Sequence, residues 1–509
     1  MSEAPLLDLF VIGGGINGAG IARDAAGRNL TVMMCEKDDL AQGTSSRSGK
    51  LIHGGLRYLE YYEFRLVREA LIEREVLLNS ACHIIWPMRF VLPHSPEDRP
   101  AWLVRLGLFL YDHLGGRQKL PGTRTLNLKR DPEGAPLLNK YTRGFEYSDC
   151  WVDDARLVTL NALDAAERGA TILTRTRCLA AVRHTDSWEI TLQDGTNGTT
   201  RTVRAKALIN AAGPWVLDII QNVTHTQSSR KVRLVKGSHI IVPKFWEGQQ
   251  AYLVQNHDKR VIFINPYEGD KALIGTTDIP YDGEAEGVTA DESEIQYLMD
   301  AVNRYFKVKL TSEDVLTSFS GVRPLFDDGK GNPSAVTRDY LFDLDSQGGA
   351  PLLHVFGGKI TTFRKLAEHA LQRLSSYFPQ MGKDWTRSAV LPGEIPDADF
   401  ESFSQQLKML YPWLPRALRK HYTRLYGARS NVILGKAISL EGLGRHFGGQ
   451  LYEAEARYLV THEWAQQAQD ILVRRTKHGL HLTQEQQQQF TVWFNDQFVG
   501  KPVRLAGAS

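Results

Sequence analysis

The length, composition and charge of the chain limit its fold and its function. With 509 residues it is too long for one compact core, so two or three domains are expected. A formal net charge of +3 is close to neutral and, with no recognised module, argues against nucleic-acid binding. The four cysteines form no C-x-x-C pair and no metal-ligand spacing, which favours free thiols in a reducing compartment and no metal site.

A segment that would direct the chain across a membrane is not expected. Met1–Pro5 lacks the basic region and the cleavage site of a signal peptide. No apolar run reaches the roughly 18 residues that a transmembrane helix requires. The sequence therefore predicts a cytoplasmic protein, or one held at a membrane face without crossing it.

The beginning of the chain has the pattern of a dinucleotide-binding βαβ unit. The apolar run Leu7–Ile12 predicts a buried strand, Ala19–Arg28 an alanine-rich helix and Leu30–Cys35 a second strand. Between the first strand and the helix, the G-x-G-x-x-G spacing falls on Gly13, Gly15 and Gly18, with Asn17 inside it. Glycine there permits a tight turn and close approach of a pyrophosphate, and the helix N-terminus offers N–H groups to the phosphates. Glu36 ends the second strand, about 20 residues on, where an acid accepts ribose hydroxyls.

Two polar segments follow the acid. Leu40–Lys50 is rich in small hydroxyl residues that suit a loop wrapping phosphates, namely Thr44, Ser45 and Ser46, and it ends on Lys50. An ordinary surface loop is the alternative, but the position directly after Glu36 favours the phosphate interpretation. The next segment groups three polar side chains around a double glycine, namely His53, Arg57 and Tyr58. A single histidine is more often a packing residue than a catalyst, yet this grouping favours a site.

The segment Ala101–Leu114 is predicted to be a strongly apolar helix, and it has two interpretations. Basic residues lie around it in the sequence, including Arg99, Arg105, Arg117 and Lys119. The first interpretation is a core helix with a solvated basic flank, and on sequence alone this one is favoured. The second is a segment that lies on an anionic membrane surface.

Small residues follow two further strands. Ala205–Asn210 is a short predicted strand followed by Ala211, Gly213, Pro214 and Trp215. Leu352–Phe356 is another, and it leads into a glycine-rich junction that contains Gly358, Lys359 and Thr361 before a helix to about Tyr377. Small residues at the carboxyl end of a strand leave room for a ligand, and the second junction adds a helix N-terminus.

The remaining segments differ in character. Residues 232 to about 326 alternate between strand and turn signals, as in an antiparallel sheet, and they contain His239, Thr277 and Arg323. Arg338 follows a glycine-rich turn. Residues 386–509 are helical with few strand signals, which predicts a helical C-terminal domain.

The number of glycine-rich junctions indicates which dinucleotide is bound. A nicotinamide enzyme would have one βαβ unit with its substrate residues after it. This chain returns to the same ligand at least twice more, near Ala211–Trp215 and near Gly357–Thr362. Repeated returns suit a long ligand buried from end to end, which favours FAD over NAD.

Four stretches carry a resemblance to one family. Ile12–Arg28 resembles the N-terminal signature of FAD-dependent glycerol-3-phosphate dehydrogenases, and Gly357–Arg364 is similar to their second signature. His53–Leu59 and Gly321–Leu325 also match. The similarity runs nearly end to end and is closest to the bacterial aerobic, quinone-linked type.

The resemblance implies an architecture. It is an α/β fold with a glutathione-reductase-like FAD-binding (Rossmann) domain, an interleaved antiparallel-sheet domain that caps the substrate, and an all-helical C-terminal domain. We assign residues 1–80, 151–225 and 327–385 to the FAD-binding domain, residues 81–150 and 226–326 to the capping domain, and residues 386–509 to the helical domain. A homodimer on the cytoplasmic face of the inner membrane is also implied.

The implied activity is oxidation of glycerol 3-phosphate to dihydroxyacetone phosphate, with electrons passed to ubiquinone or menaquinone. Flavin takes a hydride and a general base takes the proton, for which His53 and His239 are both candidates. Arginine forks suit a phosphate dianion, so we expect Arg323 and Arg338 to bind it, with Arg57, Tyr58 and Thr277 in the substrate site. Lys359 would stabilise negative charge on the reduced ring.

Two other functions are compatible with the sequence. A flavin oxidase of the same architecture would act on an amine or pass electrons to oxygen. A non-catalytic flavoprotein would need the FAD loops but not His53, Arg57, Arg323 and Arg338.

Overall fold

The structure is a computed structural model that describes residues 5–501 apart from 96, 98, 229, 327–338 and 396–398. Arg338 lies outside the described residues. The strands, in chain order, are β1 (Leu6–Ile12), β2 (Val32–Cys35), β3 (Leu51–Ile52), β4 (Ile85–His94), β5 (Arg124–Asn127), β6 (Arg143–Val152), β7 (Thr171–Leu173), β8 (Thr176–Arg183), β9 (Trp188–Asp194), β10 (Thr200–Asn210), β11 (Val232–Pro243), β12 (Ala251–Gln255), β13 (Val261–Tyr267), β14 (Lys271–Gly275), β15 (Ile279–Tyr281), β16 (Thr317–Phe326), β17 (Tyr340–Asp345), β18 (Leu352–Gly357), β19 (His446–Gly448) and β20 (Leu451–Tyr452). The helices are α1 (Ile16–Gly27), α2 (Phe64–Ser80), α3 (Ala101–Leu114), α4 (Asp154–Glu167), α5 (Val216–Asp218), α6 (Glu292–Tyr305), α7 (Phe363–Leu374), α8 (Phe400–Leu410), α9 (Arg416–Tyr426), α10 (Ser430–Leu434), α11 (Glu453–His462) and α12 (Gln484–Phe498).

The first sheet is largely parallel and has the strand order β17-β18-β10-β1-β2-β7, with β9 and β8 attached beside β10. The strands β1, β2, β7, β10 and β18 are parallel, while β17 and β9 pair antiparallel with their neighbours. Their near-continuous apolar runs are buried because helices cover the sheet. Helix α1 packs between α4 and α7. The packing is close at Gly20, where an added methyl carbon would lie 2.7 Å from the Phe363 ring.

The second sheet is mostly antiparallel, with the order β15-β11-β14-β13-β12-β4-β6-β3, and with β16 on β11 and β5 on β6. Its β4–β12 pair is parallel. Helix α6 packs against β11 and β12. Strand β3, which lies within residues 1–80, belongs to this second sheet through its pairing with β6. The proposed domain boundaries remain a prediction.

The chain after residue 399 is mainly helical and has its own apolar core, formed by side chains such as Leu407, Leu418, Tyr422 and Phe490. The predicted α/β architecture, with a largely parallel sheet, a mostly antiparallel sheet and a helical C-terminal domain, is therefore present. The helical segments are interrupted. Residues 400–427 break before Pro415 into α8 and α9. Residues 452–477 divide into α11 and a wide helical turn at Asp470–Arg475.

Helix α3 has the predicted bounds and lies beside α2. It buries Leu108 and Tyr111, while Trp102, Leu103, Leu106 and Phe109 are exposed. No helix among the described residues is long and apolar enough to cross a membrane.

Candidate active site

The glycine turn after β1 is built as the spacing predicts. Gly13 has φ +113°, and an added methyl carbon there would lie 2.6 Å from the carbonyl oxygen of Ala211. At Gly18 the added carbon would lie 1.9 Å from the carbonyl oxygen of Gly13. Helix α1 begins at Ile16, whose N–H donates to Ser45 Oγ at 3.0 Å. The turn therefore leaves no space for larger residues at Gly13 or Gly18.

Glu36 closes this turn from the end of the second strand. Its carboxylate accepts the Gly14 N–H at 2.8 Å and the Asp38 N–H at 2.9 Å. Burial raises the pKa of Glu36 above its ordinary value, although the two backbone hydrogen bonds act in the opposite direction. A carboxylate has about four acceptor positions. The Glu36 carboxylate can therefore accept hydrogen bonds from ribose hydroxyls, as predicted, in addition to the two backbone N–H groups.

The three predicted glycine-rich stretches lie together. Ala211 N–H donates to the Ile12 carbonyl at 2.9 Å, which places the end of β10 beside the first turn. Asn17 Nδ2 donates to the Gly357 carbonyl at 3.1 Å, which joins α1 to the junction after β18. Asn17 Oδ1 is buried and has no hydrogen-bond partner in the described part of the chain. A ligand donor would satisfy it, so these residues fit a dinucleotide spread over all three stretches.

The other residues predicted in these stretches lie around the same turn. Gly213 has φ +57°, Pro214 follows it in a short turn, and Trp215 lies against Gly43, where an added methyl carbon would be 3.1 Å from the indole. At Gly358, which has φ +97°, an added carbon would be 3.0 Å from Asn17 Nδ2.

The loop that contains Thr44, Ser45 and Ser46 is anchored at its end. Lys50 has φ +58° and its Nζ donates to Asp154 Oδ1 at 2.7 Å, in a buried ion pair. Ser48 Oγ donates to Asp154 Oδ2 at 2.7 Å. Thr44 Oγ1 donates to the Val322 carbonyl at 2.6 Å, which connects the loop to the second sheet. Lys50 therefore binds Asp154, and its predicted contribution to the cofactor site stays a prediction.

The segment with His53 and Tyr58 packs against the junction after β18. The backbone N–H of His53 donates to Thr361 Oγ1 at 3.3 Å. Lys359 Nζ lies 4.1 Å from the centre of the Tyr58 ring, within range of a cation–π interaction. The His53 ring lies edge-on to Phe263, with ring centres 5.9 Å apart.

His239 lies on the same part of the second sheet. It pairs across the sheet with Gly275, which in turn pairs with Phe263, so His239 and His53 approach one patch of this sheet. The His239 ring stacks on Phe319 with centres 4.8 Å apart.

The electrostatic surroundings keep His239 neutral. The side chain is buried, and neither ring nitrogen has a hydrogen-bond partner among the described residues. Burial, together with the charges of Lys50 and Arg323, lowers the pKa of His239 to about 3. A neutral ring with two unused nitrogens can accept a proton from a ligand.

The residues predicted to line the substrate site differ in their hydrogen-bond partners and their burial. Arg323 Nη2 donates to the Thr277 carbonyl at 3.1 Å and to Asp278 Oδ1 at 3.0 Å. The Thr277 hydroxyl accepts the Ser238 N–H and donates to Glu294 Oε1 at 2.7 Å. The Arg57 side chain is half-buried.

Several contacts of the site were missed from the sequence, namely those of Asp154, Asp278, Glu294 and Phe319. Asp154 starts helix α4 beside Asp153, and this acid pair directly before a helix is a signal that could have been used. The contacts of the other three residues are with partners distant in sequence, and a single sequence does not predict such contacts.

Comparison with known proteins agrees with this geometry. The profile of the family described as "FAD dependent oxidoreductase" matches residues 8–364, and that of the "C-terminal domain of alpha-glycerophosphate oxidase" matches residues 385–491. The chain is 72% identical to D-erythritol 1-phosphate dehydrogenase of Brucella abortus, over 97% of this chain and 99% of the relative. It is 51% identical to aerobic glycerol-3-phosphate dehydrogenase of Escherichia coli, over 96% and 97%. The structure of glycerol-3-phosphate dehydrogenase from Bacillus halodurans complexed with FAD superposes with a TM-score of 0.74 at 26% identity, covering 96% of this chain and 94% of that one.

These matches extend over both glycine-rich junctions and the helical domain. FAD is therefore the cofactor of this chain. The chain belongs to the FAD-dependent oxidoreductase family, within its group of bacterial FAD-dependent glycerol-3-phosphate dehydrogenases.

Proposed function

We propose that the protein oxidises a secondary hydroxyl of a phosphorylated polyol to a ketone, and that D-erythritol 1-phosphate is its substrate. The observation that carries this proposal is the 72% identity, over nearly the whole of both chains, to a relative named D-erythritol 1-phosphate dehydrogenase.

Glycerol 3-phosphate, the substrate that the sequence resemblance implies, is the second candidate. It is supported by relatives named glycerol-3-phosphate dehydrogenase, which are 51% identical in Escherichia coli and 54% identical in Pseudomonas aeruginosa. Both compounds combine a phosphate dianion with a secondary hydroxyl. The same chemistry would therefore serve either one.

We assign the proton transfer to His239. Oxidation of the alcohol removes a proton from oxygen and a hydride from carbon, and bound FAD supplies the hydride acceptor. His239 has two unpartnered ring nitrogens and stays neutral, as a base must before it accepts the proton. His53 remains the alternative base, because its ring packs against Phe263 in the same patch of the second sheet. Replacing each histidine with asparagine distinguishes them, since loss of the base should lower kcat by about 10²- to 10⁴-fold.

We assign the substrate phosphate to Arg323, Arg57 and Arg338. The contacts of Arg323 with Asp278 and the Thr277 carbonyl hold its guanidinium in one orientation. A guanidinium that is already held in one orientation loses less side-chain entropy when it binds phosphate oxygens. Tyr58 lies against Lys359 and would orient the polyol, while Lys359 would face the flavin ring.

We propose a membrane quinone, ubiquinone or menaquinone, as the electron acceptor, with the protein bound peripherally at the cytoplasmic membrane face. The exposed apolar side chains of α3 support this location, because Trp102 is 69% and Phe109 49% exposed. Tyr61 and Tyr62, which precede α2, and Phe64, its first residue, are also exposed, and α3 contacts that part of the chain. Isolated exposed apolar residues are ordinary, but a contiguous patch of aromatic residues suits an interfacial segment. A homodimer remains a proposal from the family resemblance.

Steady-state assays of the purified protein with a quinone analogue test the substrate assignment. The kcat/KM for D-erythritol 1-phosphate should exceed that for glycerol 3-phosphate by at least tenfold. A reversed ratio would make glycerol 3-phosphate the substrate. Stoichiometric hydrogen peroxide from oxygen during turnover would support the flavin oxidase alternative instead.

A further inference from the structure

A short segment of the C-terminal domain, Arg474–Lys477, contacts the beginning of the loop 39–50, which we predict to wrap the cofactor phosphates. Arg475 donates to both carboxylate oxygens of Asp39, at 2.7 and 2.8 Å, and Arg474 Nε donates to Asp39 Oδ2 at 2.6 Å. The Asp39 and Arg475 side chains are fully buried. Asp39 lies three residues after Glu36, directly before the segment with Thr44, Ser45 and Ser46.

The same segment also reaches the end of this loop. Lys477 Nζ pairs with Asp153, whose carboxylate caps helix α4 by accepting the Arg156 N–H at 3.1 Å. The next residue, Asp154, binds Lys50 and Ser48, which end the loop. Arg474 and Arg475 therefore bind Asp39 at the beginning of the stretch from residue 39 to residue 50. Lys477 supports its end indirectly, through Asp153 beside the Asp154 that binds Lys50.

Contacts within the C-terminal domain fix the segment itself. Arg475 also donates to the Glu463 carbonyl at 2.8 Å. The ring of His478, the next residue after Lys477, lies 3.2 Å from Glu455 Oε2 on helix α11. Asp470 accepts from Arg175 at 2.9 Å, which ties the same turn to the loop before β8. The segment is therefore a rigid support.

We propose that Arg475, aided by Arg474 and Lys477, is a positioning residue that holds the loop 39–50 in its cofactor-binding conformation. The C-terminal domain would in this way set how tightly the protein retains FAD. This inference rests on the proposed role of Ser45 and its neighbours in binding FAD. The physical reason is preorganisation, because a loop already held at both ends loses less conformational entropy when it closes on a ligand.

The rate at which flavin leaves the diluted holoenzyme tests the proposal, and recovery of flavin fluorescence measures it. The variant Arg475→Met should release FAD at least tenfold faster than the wild type. The matched control is Arg429→Met, which removes another ion pair between the same two domains, to Glu167 at the far end of α4. The control should release FAD within twofold of the wild-type rate.

A second variant covers the case in which Arg475→Met does not fold, since it leaves the buried Asp39 carboxylate with Arg474 as its one remaining cation among the described residues. The double variant Arg475→Met/Asp39→Asn removes both charges, and it should also release FAD at least tenfold faster. Hydrogen exchange of the backbone amides in residues 39–50 should accelerate in it. Unchanged release and exchange in the double variant would overturn the proposal.

A further variant distinguishes this inference from the cofactor site on which it rests. If Ser45→Ala accelerates FAD release while the double variant does not, the loop binds the cofactor but Arg475 does not position it. If neither accelerates release, the loop is not part of the cofactor site.

Discussion

Arg323 is oriented by protein groups at the place where we propose that the substrate phosphate binds. Among its contacts, Nη2 donates to the Thr277 carbonyl and to Asp278. The planar guanidinium of arginine matches the geometry of phosphate oxygens, which is why we propose it as a phosphate ligand. Its position beside His239 would bring the phosphate near the proposed base.

Replacing Arg323 with alanine should raise the KM for the phosphorylated polyol by about 10- to 100-fold, since a hydrogen bond to a charged group contributes roughly 1.5–3 kcal/mol. The flavin content should not change, because Arg323 lies on the second sheet and not in the glycine turn. Steady-state kinetics with the flavin-to-protein absorbance ratio measure both. Arg457→Ala, an exposed change in the C-terminal domain, is the control. An unchanged KM would remove Arg323 from the site.

His83 predicts a pH dependence of stability that is separate from catalysis. The side chain is fully buried, and neither ring nitrogen has a hydrogen-bond partner among the described residues. Burial, with the charges of Arg156 and Arg424, lowers the pKa of His83 from 6.5 to about 3. The stability from keeping this ring neutral is therefore present above pH 6.5 and is lost as the pH falls toward 3.

The variant His83→Leu should accordingly be the more acid-stable protein. Relative to the wild type, its free energy of unfolding should rise by about 2 kcal/mol on going from pH 7 to pH 5. Denaturant unfolding of the holoenzyme at both pH values measures this difference, with the exposed His184→Leu as the control. Equal pH dependence of the His83→Leu variant and the wild type would show that His83 titrates normally.

The residue types of the site were more predictable from the sequence than their contacts. Gly13, Gly18 and Glu36 lie where the spacing predicts, because local backbone geometry determines a turn between adjacent elements. The pairing of Lys50 with Asp154, a residue about 100 positions away in the sequence, was not predicted. Long-range pairing of this kind depends on the complete fold. The periodicity of one segment contains no information about it.

At the scale of single elements, the first turn of α1 is the part least tolerant of change. A methyl group at Gly18 would overlap the Gly13 carbonyl oxygen, whereas one at Gly107 of α3 meets nothing within 4 Å. Gly18→Ala should therefore abolish FAD retention. Gly107→Ala should keep it and raise stability by about 0.5–1 kcal/mol, because alanine has the higher helix propensity. The flavin-to-protein ratio and thermal unfolding of the two variants test this, and full flavin content in Gly18→Ala would contradict it.

Helix α3 carries the prediction about membrane binding. Changing Trp102 and Phe109 together to glutamate should reduce flotation with vesicles containing anionic lipid by at least tenfold, since burying each side chain contributes roughly 1.5–3 kcal/mol. Met409→Glu is the matched control, because Met409 is exposed on α8 in the C-terminal domain. Equal flotation of the wild type and the double variant would exclude α3 from the membrane contact.

Element bounds were predictable where a single period dominates. Helix α3 begins and ends at the predicted residues, Ala101 and Leu114. By contrast, the predicted short strand Ala205–Asn210 is the second half of the longer β10. The first half of β10 pairs antiparallel with β9 and the second half pairs parallel with β1, so one strand changes partner without a turn. The sequence therefore has no turn residues at the position within β10 where the strand changes partner.

At the scale of the whole molecule, the chain returns twice to the glycine turn after β1. The helical C-terminal domain contacts the loop 39–50, which follows that turn in the chain. The convergence of the three glycine-rich stretches was predictable because each stretch follows a strand of one parallel sheet. The contacts of Arg474, Arg475 and Lys477 were not, since they join segments more than 300 positions apart. The motifs also could not predict which of the two phosphorylated polyols is the substrate, because both compounds contain a phosphate and a secondary hydroxyl.

The most direct test of this account is anaerobic titration of the purified, flavin-loaded protein with D-erythritol 1-phosphate, followed by flavin absorbance. The account predicts complete bleaching at about one equivalent of substrate per flavin. Unphosphorylated erythritol at the same concentration should produce none. A protein that stays colourless after reconstitution with FAD would contradict the account. So would a bound flavin that neither D-erythritol 1-phosphate nor glycerol 3-phosphate reduces.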